Sequence, residues 1–118
     1  MKPRKTFLFL DMLRLDFQPP DNLDEDTVQQ YLERLRRGEK LQPIRVRFDG
    51  EHYWVEDGFH RVEAARRHGL KKIEAGVLPG TLASMEAEFQ QYLIELKKSL
   101  AEEAAQRERQ RKHERKKQ

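Results

Sequence analysis

The amino-acid sequence predicts a small α+β domain, a mixed α/β protein, followed by a long C-terminal helix. Segments whose apolar residues alternate with polar ones, as in strands, are interleaved with segments whose apolar residues recur every three or four positions, as in helices. Along the chain they read strand, helix, hairpin, helix, strand, helix. The length of 118 residues favours one domain. We expect residues 1–81 to form it, 82–106 to form the helix, and 107–118 to be a frayed or disordered basic tail.

The first third of the chain predicts one strand and one helix. Residues 6–10 are mostly apolar, and the alternation over 13–17 would continue the strand. After a proline-containing loop, Asp26 is the predicted N-cap of a helix, with Gln29 in the capping-box position. Gly38 ends this helix, because glycine readily adopts the left-handed conformation found at helix C-termini.

The middle of the chain predicts a hairpin, a helix and a strand. Apolar residues alternate over 44–48, an Asp-Gly pair at 49–50 marks a tight turn, and 53–56 is the returning strand. A helical stretch over 59–68 follows and ends at a glycine. Residues 72–78 alternate again and provide the last strand.

A long helix is predicted from residue 81 onward. Its apolar residues recur at steps of four, four, three and four positions and form one stripe: Met85, Phe89, Leu93, Leu96 and Leu100. The stripe would pack on the body of the domain or on a second copy of the chain, so a homodimer through 82–106 is one expectation. It is too short to require a coiled coil.

Most of the positive charge lies in the C-terminal tail. The formal net charge of the chain is +3, and residues 107–118 hold seven basic residues against two acidic ones. The basic residues are Arg107, Arg109, Arg111, Lys112, Arg115, Lys116 and Lys117. Such a cluster predicts non-specific contact with the phosphate backbone of DNA. A solvated helix end is an equally good interpretation.

The composition excludes several classes of protein. The chain has no cysteine, which excludes disulfide scaffolds, thiolate zinc sites and cysteine nucleophiles. Its four histidines show no metal-ligand spacing, so no protein-bound metal is predicted. No apolar run approaches the roughly 20 residues of a transmembrane helix, and charges near the N-terminus argue against a signal peptide. We therefore expect a cytoplasmic protein without a membrane partner.

One segment combines a strand, a tight turn and a helix start in the way that a phosphate site does. The strand leads into Gly58, and the first amides of the following helix lack partners within the helix and so favour an anion. His60 and Arg61 lie in that first turn, where cationic side chains oppose the helix dipole unless an anion or Asp57 offsets them. Arg61 would grip a phosphate with two bonds, and His60 would donate a bond or act as an acid/base. The alternative is an Arg61–Asp57 pair that only fixes the turn.

An ordered set of short motifs runs between residues 13 and 81. They are Gln18-Pro19, Gly38, Leu41-x-Pro43-Ile44, Asp49-Gly50, Tyr53-Trp54-Val55, Asp57-Gly58-Phe59-His60-Arg61, Ala64-Ala65, Gly69 and Gly80-Thr81. Each motif is weak alone, but their order and spacing together are specific. On these motifs the sequence resembles the ParB/sulfiredoxin superfamily, and within it the ParB N-terminal-like domain, also called the ParB-like nuclease domain.

The resemblance implies a nucleotide site at the same turn. In this superfamily the turn binds nucleotide phosphates at a helix start. Asp57 matches the acid of the kinase-like members, and Gln18 and Pro43 match residues that wall the nucleotide pocket. The implied cofactor is a nucleoside triphosphate with Mg²⁺. The implied phosphate-binding residues are Gly58, Phe59, His60 and Arg61.

Known members of the superfamily bind and hydrolyse CTP, use ATP, transfer phosphate to a hydroxyl, or act as nucleases. The chain departs from their sequences at several positions. Phe59 stands where sulfiredoxins have a cysteine, which excludes sulfinic acid reduction. Pro20 replaces the arginine of the Gln-Pro-Arg loop of partition proteins. Neither their Glu-Asn-x-x-Arg segment nor a helix-turn-helix is found. A complete partition clamp is therefore not predicted, although a component of a plasmid-partition-like system fits the resemblance.

Three hypotheses of function follow. The first is a nucleotide- or phosphate-binding domain acting near DNA, with phosphate held at 57–61 and DNA contacted by the tail. The second is a small phosphotransferase, nucleotide hydrolase or nuclease in which Asp57 and His60 are catalytic and Arg61 stabilises charge on phosphorus. The third is an inactive adaptor whose helix over 82–106 binds a partner or a second copy.

Overall fold

A computed structural model of the chain describes residues 1–18 and 20–117, without the side chains of residues 20 and 115–117. It contains two compact units, of which the first is Met1–Met85 and the second starts at Glu86. The first unit holds every strand of the described chain and two of its α-helices. The second unit is the continuation of the long C-terminal helix.

A five-stranded mixed sheet is the frame of the first unit. The order in the sheet is β1-β5-β3-β4-β2. The β1–β5 and β3–β4 pairs are antiparallel, whereas the β3–β5 and β2–β4 pairs are parallel. The strands are β1 (Arg4–Phe9), β2 (Leu13–Arg14), β3 (Ile44–Phe48), β4 (Tyr53–Asp57) and β5 (Lys72–Pro79).

The described residues form three α-helices: α1 (Glu25–Arg36), α2 (Phe59–His68) and α3 (Leu82–Lys117). α1 and α2 pack on each other. Val28 and Leu32 of α1 meet Ala64 of α2 in a small buried cluster. Two short 3₁₀ turns, Leu10–Met12 and Pro20–Asn22, connect the first elements.

The main core is built by one face of the sheet and by α2. Val46 lies at its centre, because its register partners in the two neighbouring strands are Val55 and Val77. All three side chains are buried, and α2 adds Phe59 and Val62 to the same cluster. The period of two in the sequence therefore reports correctly which strand residues face the core.

The central elements confirm the sequence prediction closely. β3, β4, α2 and β5 have the predicted positions to within one residue. Gly38 and Gly69, which follow α1 and α2, have φ angles of 79° and 86°. These left-handed conformations end both helices as expected.

The predicted continuation of the first strand over 13–17 is wrong. A 3₁₀ turn at Leu10–Met12 interrupts it, and β2 contains only two residues. β1 pairs with β5 and β2 pairs with β4, so the two strands lie at opposite edges of the sheet. The chain must leave one edge and cross to the other, and alternation alone does not reveal that crossing.

The predicted cap of α1 is also wrong, because the N-cap is Asp24 and not Asp26. The Asp24 carboxylate accepts a 2.6 Å hydrogen bond from the Thr27 hydroxyl. Gln29 donates to Glu25 instead of closing a capping box with Asp26. The start of α1 is fixed from outside the helix, since the backbone N–H of Asp24 donates to His60 of α2.

α3 begins with a reciprocal cap. The N–H of Ser84 donates to the Thr81 hydroxyl at 3.0 Å, and the N–H of Thr81 donates to the Ser84 hydroxyl at 2.9 Å. The backbone then stays helical to Lys117, through the segment that the sequence predicts as frayed or disordered. No glycine or proline follows Gly80, and Arg, Lys, Glu, Gln and Ala all favour helix.

Beyond its first turn α3 exposes most of its large apolar side chains, whereas Leu93 of the apolar stripe is half-buried. Met85 is buried within the first unit. In the second unit large apolar side chains are exposed, namely Phe89, Tyr92, Ile94, Leu96 and Leu100. Two expectations stay predictions. They are the packing of 82–106 on a second copy of the chain and the limits of the segments 1–81, 82–106 and 107–118. Within residues 1–18 and 20–117, no helix has the length and apolar character needed to cross a bilayer.

Glu25 gives a prediction about stability and pH. Hydrogen bonds from Arg67, at 2.5 and 2.9 Å, and then from Gln29 lower the pKa of the Glu25 carboxyl from 4.5 to about 2. A carboxylate with a depressed pKa stabilises the fold above its unfolded-state pKa and loses that effect as pH falls through the folded-state pKa. Glu25→Gln should therefore lower Tm by a few degrees above about pH 5, and this difference should shrink as the pH approaches 2.

The control is Glu33→Gln. Glu33 forms a salt bridge with Arg36 of the same helix, at 3.8 Å, and this salt bridge does not join α1 to another element. Thermal unfolding between pH 2.5 and 7 measures both variants. A difference between Glu25→Gln and wild type that stays constant down to pH 2.5 would contradict the assignment.

Candidate functional site

Gly58 joins β4 to α2 in a space that admits no side chain. Its φ angle is 106°, and it is the N-cap of α2. A Cβ atom at this position would lie 2.5 Å from Cγ2 and 2.9 Å from Cβ of Ile44. The turn is therefore pressed directly onto the first residue of β3, and only glycine fits both the angle and the space.

The first backbone amides of α2 come before the first residue that donates a hydrogen bond within the helix. The first bond of the helix runs from the N–H of Val62 to the carbonyl of Gly58, at 2.9 Å. The N–H groups of Phe59, His60 and Arg61 have no carbonyl four residues earlier in the helix to pair with. They point along the helix axis and carry the positive end of its dipole, an arrangement that attracts a phosphate or another anion.

Arg61 lies under the turn and is only 11% exposed. Its Nη1 donates to two backbone carbonyls in the segment before β3, that of Gln42 at 2.8 Å and that of Pro43 at 2.9 Å. Its Nη2 donates to the Asp57 carboxylate at 3.3 Å. The arginine thus connects α2 to the segment before β3 and to the end of β4.

His60 connects α2 to α1. Its Nε2 accepts a 3.0 Å hydrogen bond from the backbone N–H of Asp24. A nitrogen that accepts cannot carry a proton, so this geometry corresponds to a neutral imidazole protonated at Nδ1. The bond from the Thr27 hydroxyl lowers the pKa of the Asp24 carboxyl below its usual range, which keeps an acceptor at this helix start.

The other predicted residues contribute in different ways. Asp57 is 59% exposed beside the turn. Phe59 is buried in the main core, so only its amide faces the helix start. Pro43 is half-buried and reaches the turn through its carbonyl, whereas Gln18 lies in a bend after β2 and donates its N–H to the carbonyl of Leu15. Residue 19 of the predicted Gln18-Pro19 motif lies outside the described residues.

Two groups at the site escaped the sequence analysis, the backbone N–H of Asp24 and the carbonyl of Gln42. Asp24 lies 36 residues from His60 along the chain, and Gln42 lies 19 residues from Arg61. Both contacts use the backbone of the partner, which every residue type possesses. The sequence therefore contains no side-chain signal that would have revealed them.

The polar side chains of the hairpin are engaged within the fold. Glu56 pairs with Arg47 at 2.9 Å and with Arg45 at 3.7 Å. Asp49 accepts bonds from the backbone amide of His52, the indole of Trp54 and the amide of Glu51, which hold its pKa well below the usual range. Across the strands, the rings of Phe48 and Tyr53 stack at 4.4 Å. The hairpin residues thus support the fold and leave the start of α2 as the candidate site.

The predicted nucleic-acid residues lie on the last three turns of α3. Arg107, Arg109, Arg111 and Lys112 are exposed. Arg111 approaches Glu108 at 3.9 Å. The side chains of residues 115–117 are outside the description, so the predicted contacts of Arg115, Lys116 and Lys117 are not located. Across the part of the chain that the structure describes, no group of three or more potential metal ligands is found.

The comparison with protein families decides the relationship. The family profile of the ParB N-terminal domain matches residues 4–96. The chain belongs to this family. The match covers the whole sheet, α1, α2 and the first turns of α3, and it confirms the resemblance found in the sequence. No curated protein gives a significant match to the chain.

Solved structures share the fold. Sulfiredoxin from Arabidopsis thaliana superposes with a TM-score of 0.64 at 24% identity, covering 74% of this chain and 98% of that one. The chromosome-partitioning protein ParB from Caulobacter crescentus, complexed with CTP-γ-S, gives 0.56 at 26% identity, covering 71% and 49%. A free serine kinase in complex with AMP gives 0.54 at 18% identity, covering 66% and 32%. The chain therefore spans about half of that ParB structure and a third of the kinase, and the predicted α+β fold with a long C-terminal helix is confirmed.

Gly58 and Gly50 give a matched pair of stability predictions. Both glycines have positive φ angles, but a Cβ at Gly50 would meet nothing within 4 Å, whereas one at Gly58 would collide with Ile44. Gly50→Ala should cost about 1–2 kcal/mol for the left-handed backbone alone. Gly58→Ala should cost roughly 1–3 kcal/mol more, because the side chain overpacks the core. Urea unfolding measures both, and equal losses would show that the contact with Ile44 is not restrictive.

Proposed function

We propose that the domain binds a nucleotide and holds its phosphates at the start of α2. The observation that carries this function is the turn at Gly58. It combines three amides ahead of the helix's first bond with a glycine whose backbone packs directly against Ile44. The three amides are therefore donors held in fixed positions, and a phosphate group needs several donors at close range. The bound CTP-γ-S in the Caulobacter protein, whose sequence is 26% identical, supports the same ligand class.

Magnesium fits the proposal as a part of the ligand. Mg²⁺ keeps several waters and binds through substrate phosphates with one or two carboxylates. Asp57 offers such a carboxylate, because it is exposed beside the turn. Asp57 would then face the metal, while the amides of Phe59, His60 and Arg61 face the phosphate oxygens.

The basic end of α3 extends the proposal to nucleic acid. Arg107, Arg109, Arg111 and Lys112 are exposed on a helix, and helices carry such side chains in many directions around their axis. This arrangement supports contact with a phosphate backbone but no reading of base sequence. The chain would act near DNA through charge, and the nucleotide would bind at a separate position in the first unit.

A second candidate function is phosphoryl transfer or phosphodiester cleavage. The observation that favours it is Asp57, whose carboxylate lies beside the proposed phosphate position and is more than half exposed. An exposed carboxylate can accept a proton from an attacking hydroxyl or bind the metal that activates it. His60 is the weaker of the two predicted catalytic residues, since Asp24 already occupies its Nε2.

A nucleotide titration tests the proposed site. At about 100 times its dissociation constant, a ligand that binds only the folded state adds about 2.7 kcal/mol, which should raise Tm by roughly 10 °C or more. CTP, ATP, ADP and AMP with Mg²⁺ are the probes. In ¹⁵N-labelled protein the amides of Phe59, His60 and Arg61 should shift most, while the amide of Gly50 in the hairpin turn stays in place.

The same titration separates the candidate functions. Phosphate release that Asp57→Asn abolishes, with the amide shifts retained, would favour the second candidate. Shifts without turnover favour simple binding. If no nucleotide moves Tm or the α2 amides, the proposed site is wrong and an adaptor role becomes the better account.

A salt titration tests the nucleic-acid contact. Each phosphate contact contributes about 0.9 to the slope of log affinity against log salt concentration for double-stranded DNA. Arg109→Gln/Arg111→Gln should therefore reduce the slope by up to about 2. The matched control Lys97→Gln/Lys98→Gln removes two charges from the same helix and should leave the slope unchanged. Equal effects of the two pairs would mean that the end of α3 has no special role.

A further inference from the structure

The two polar side chains of the α2 turn are both bonded to backbone groups of other segments. Arg61 bonds to the segment before β3, and His60 bonds to the residue that caps α1. Their positions in a phosphate-binding turn suggest ligand contacts, yet the structure gives each of them a partner within the protein. This arrangement raises the question of what the two side chains do when a phosphate is bound.

The bonds of Arg61 are incompatible with free movement toward a ligand. Its Nη1 is shared by the carbonyls of Gln42 and Pro43 at 2.8 and 2.9 Å, and the side chain is 11% exposed. Withdrawal of the guanidinium would leave both carbonyls without this donor, and the loss is costly at Pro43, which is half-buried, whereas Gln42 is exposed to water. Movement toward a ligand would break both bonds to the carbonyls and the 3.3 Å bond to Asp57.

The hydrogen bond of His60 would also be lost if this side chain contacted a ligand. Its Nε2 accepts from the N–H of Asp24 at 3.0 Å, and Asp24 also receives the Thr27 hydroxyl. If Nε2 instead donated to a phosphate, it would need a proton, and the N–H of Asp24 would then face a donor. The start of α1 would lose one of its contacts with α2, although the bonds between Glu25 and Arg67 would remain.

We infer that His60 and Arg61 are positioning residues, which hold the segments before α1 and before β3 against the start of α2, while main-chain amides contact the phosphate. This inference rests on the proposed nucleotide function for its ligand, but the two contacts themselves are made by groups of the protein alone. Arg61 fixes the carbonyl of Pro43, a residue that the family resemblance implies for the pocket wall. His60 fixes Asp24, the N-cap of α1.

Amide hydrogen exchange in the nucleotide-free protein tests the two contacts directly. His60→Ala should speed exchange at the Asp24 amide by roughly tenfold, the change expected when a hydrogen bond of ordinary net strength is lost. His60→Gln, which keeps an acceptor, should restore part of the protection. Arg61→Ala should speed exchange at the amide of Ile44, the first residue of β3, while the amides of 62–68 stay protected, which shows that α2 remains folded.

Arg67→Ala is the matched control for Arg61. It removes a second arginine of α2 that bonds to another element, Glu25 of α1, and should leave the amide of Ile44 unchanged. Unchanged exchange at Asp24 in His60→Ala and at Ile44 in Arg61→Ala would overturn the inference, whether or not a nucleotide binds.

Measurements on the nucleotide-bound protein distinguish a positioning role of Arg61 from direct contact with the phosphate. With saturating CTP or ATP and Mg²⁺, the side-chain ¹⁵N resonances of Arg61 should shift less than the backbone amides of Phe59 and His60. Arg61→Ala should weaken binding and still show the same pattern of amide shifts at saturation. Larger shifts of the Arg61 side chain than of these amides would overturn the inference and assign Arg61 to the phosphate. If the wild type binds neither nucleotide, the proposed function fails, and the exchange data alone decide whether His60 and Arg61 hold the two segments.

Discussion

The contact between Gly58 and Ile44 is the constraint on which the site depends. Ile44 is fully buried and opens β3, while Gly58 ends the turn that opens α2. Because no side chain separates them, the start of α2 lies directly against the start of a central strand. Arg61 then reaches the two carbonyls that precede Ile44. The position of the α2 amides is therefore set by the core of the domain and not by a loose surface loop.

Most of the fold could be predicted because most of its elements are locally specified. β3, β5 and α2 were predicted from alternation, helical spacing and terminal glycines, which the packing of Val46 between its neighbours then confirms. The errors concern elements whose limits depend on distant partners. α1 begins at a residue held by His60, and β2 lies at the far edge of the sheet from β1. A short stretch of sequence around α1 does not contain His60, and one around β2 does not contain the strand with which β2 pairs.

The site shows the same division between local and distant information. The sequence indicates the turn itself, through Gly58 and the helix that follows, and it raises the conflict between cationic side chains and the helix dipole. The structure resolves that conflict internally. His60 accepts a bond from the backbone N–H of Asp24, and Arg61 meets two carbonyls and Asp57. The argument for a ligand therefore depends on the amides and on the family, because the cations are already compensated.

The end of α3 combines a high linear charge density with helical structure. Residues 107–117 extend over about 16 Å at 1.5 Å per residue, and they carry seven basic side chains against two acidic ones. Pairs such as Arg107 with Arg111 and Arg109 with Lys112 are neighbours on the helix surface and repel each other. Dissolved salt or a bound polyanion weakens this repulsion. The helical state of this segment and its electrostatic environment are thus thermodynamically linked, so a polyanion that binds there also stabilises the helix that presents the charges.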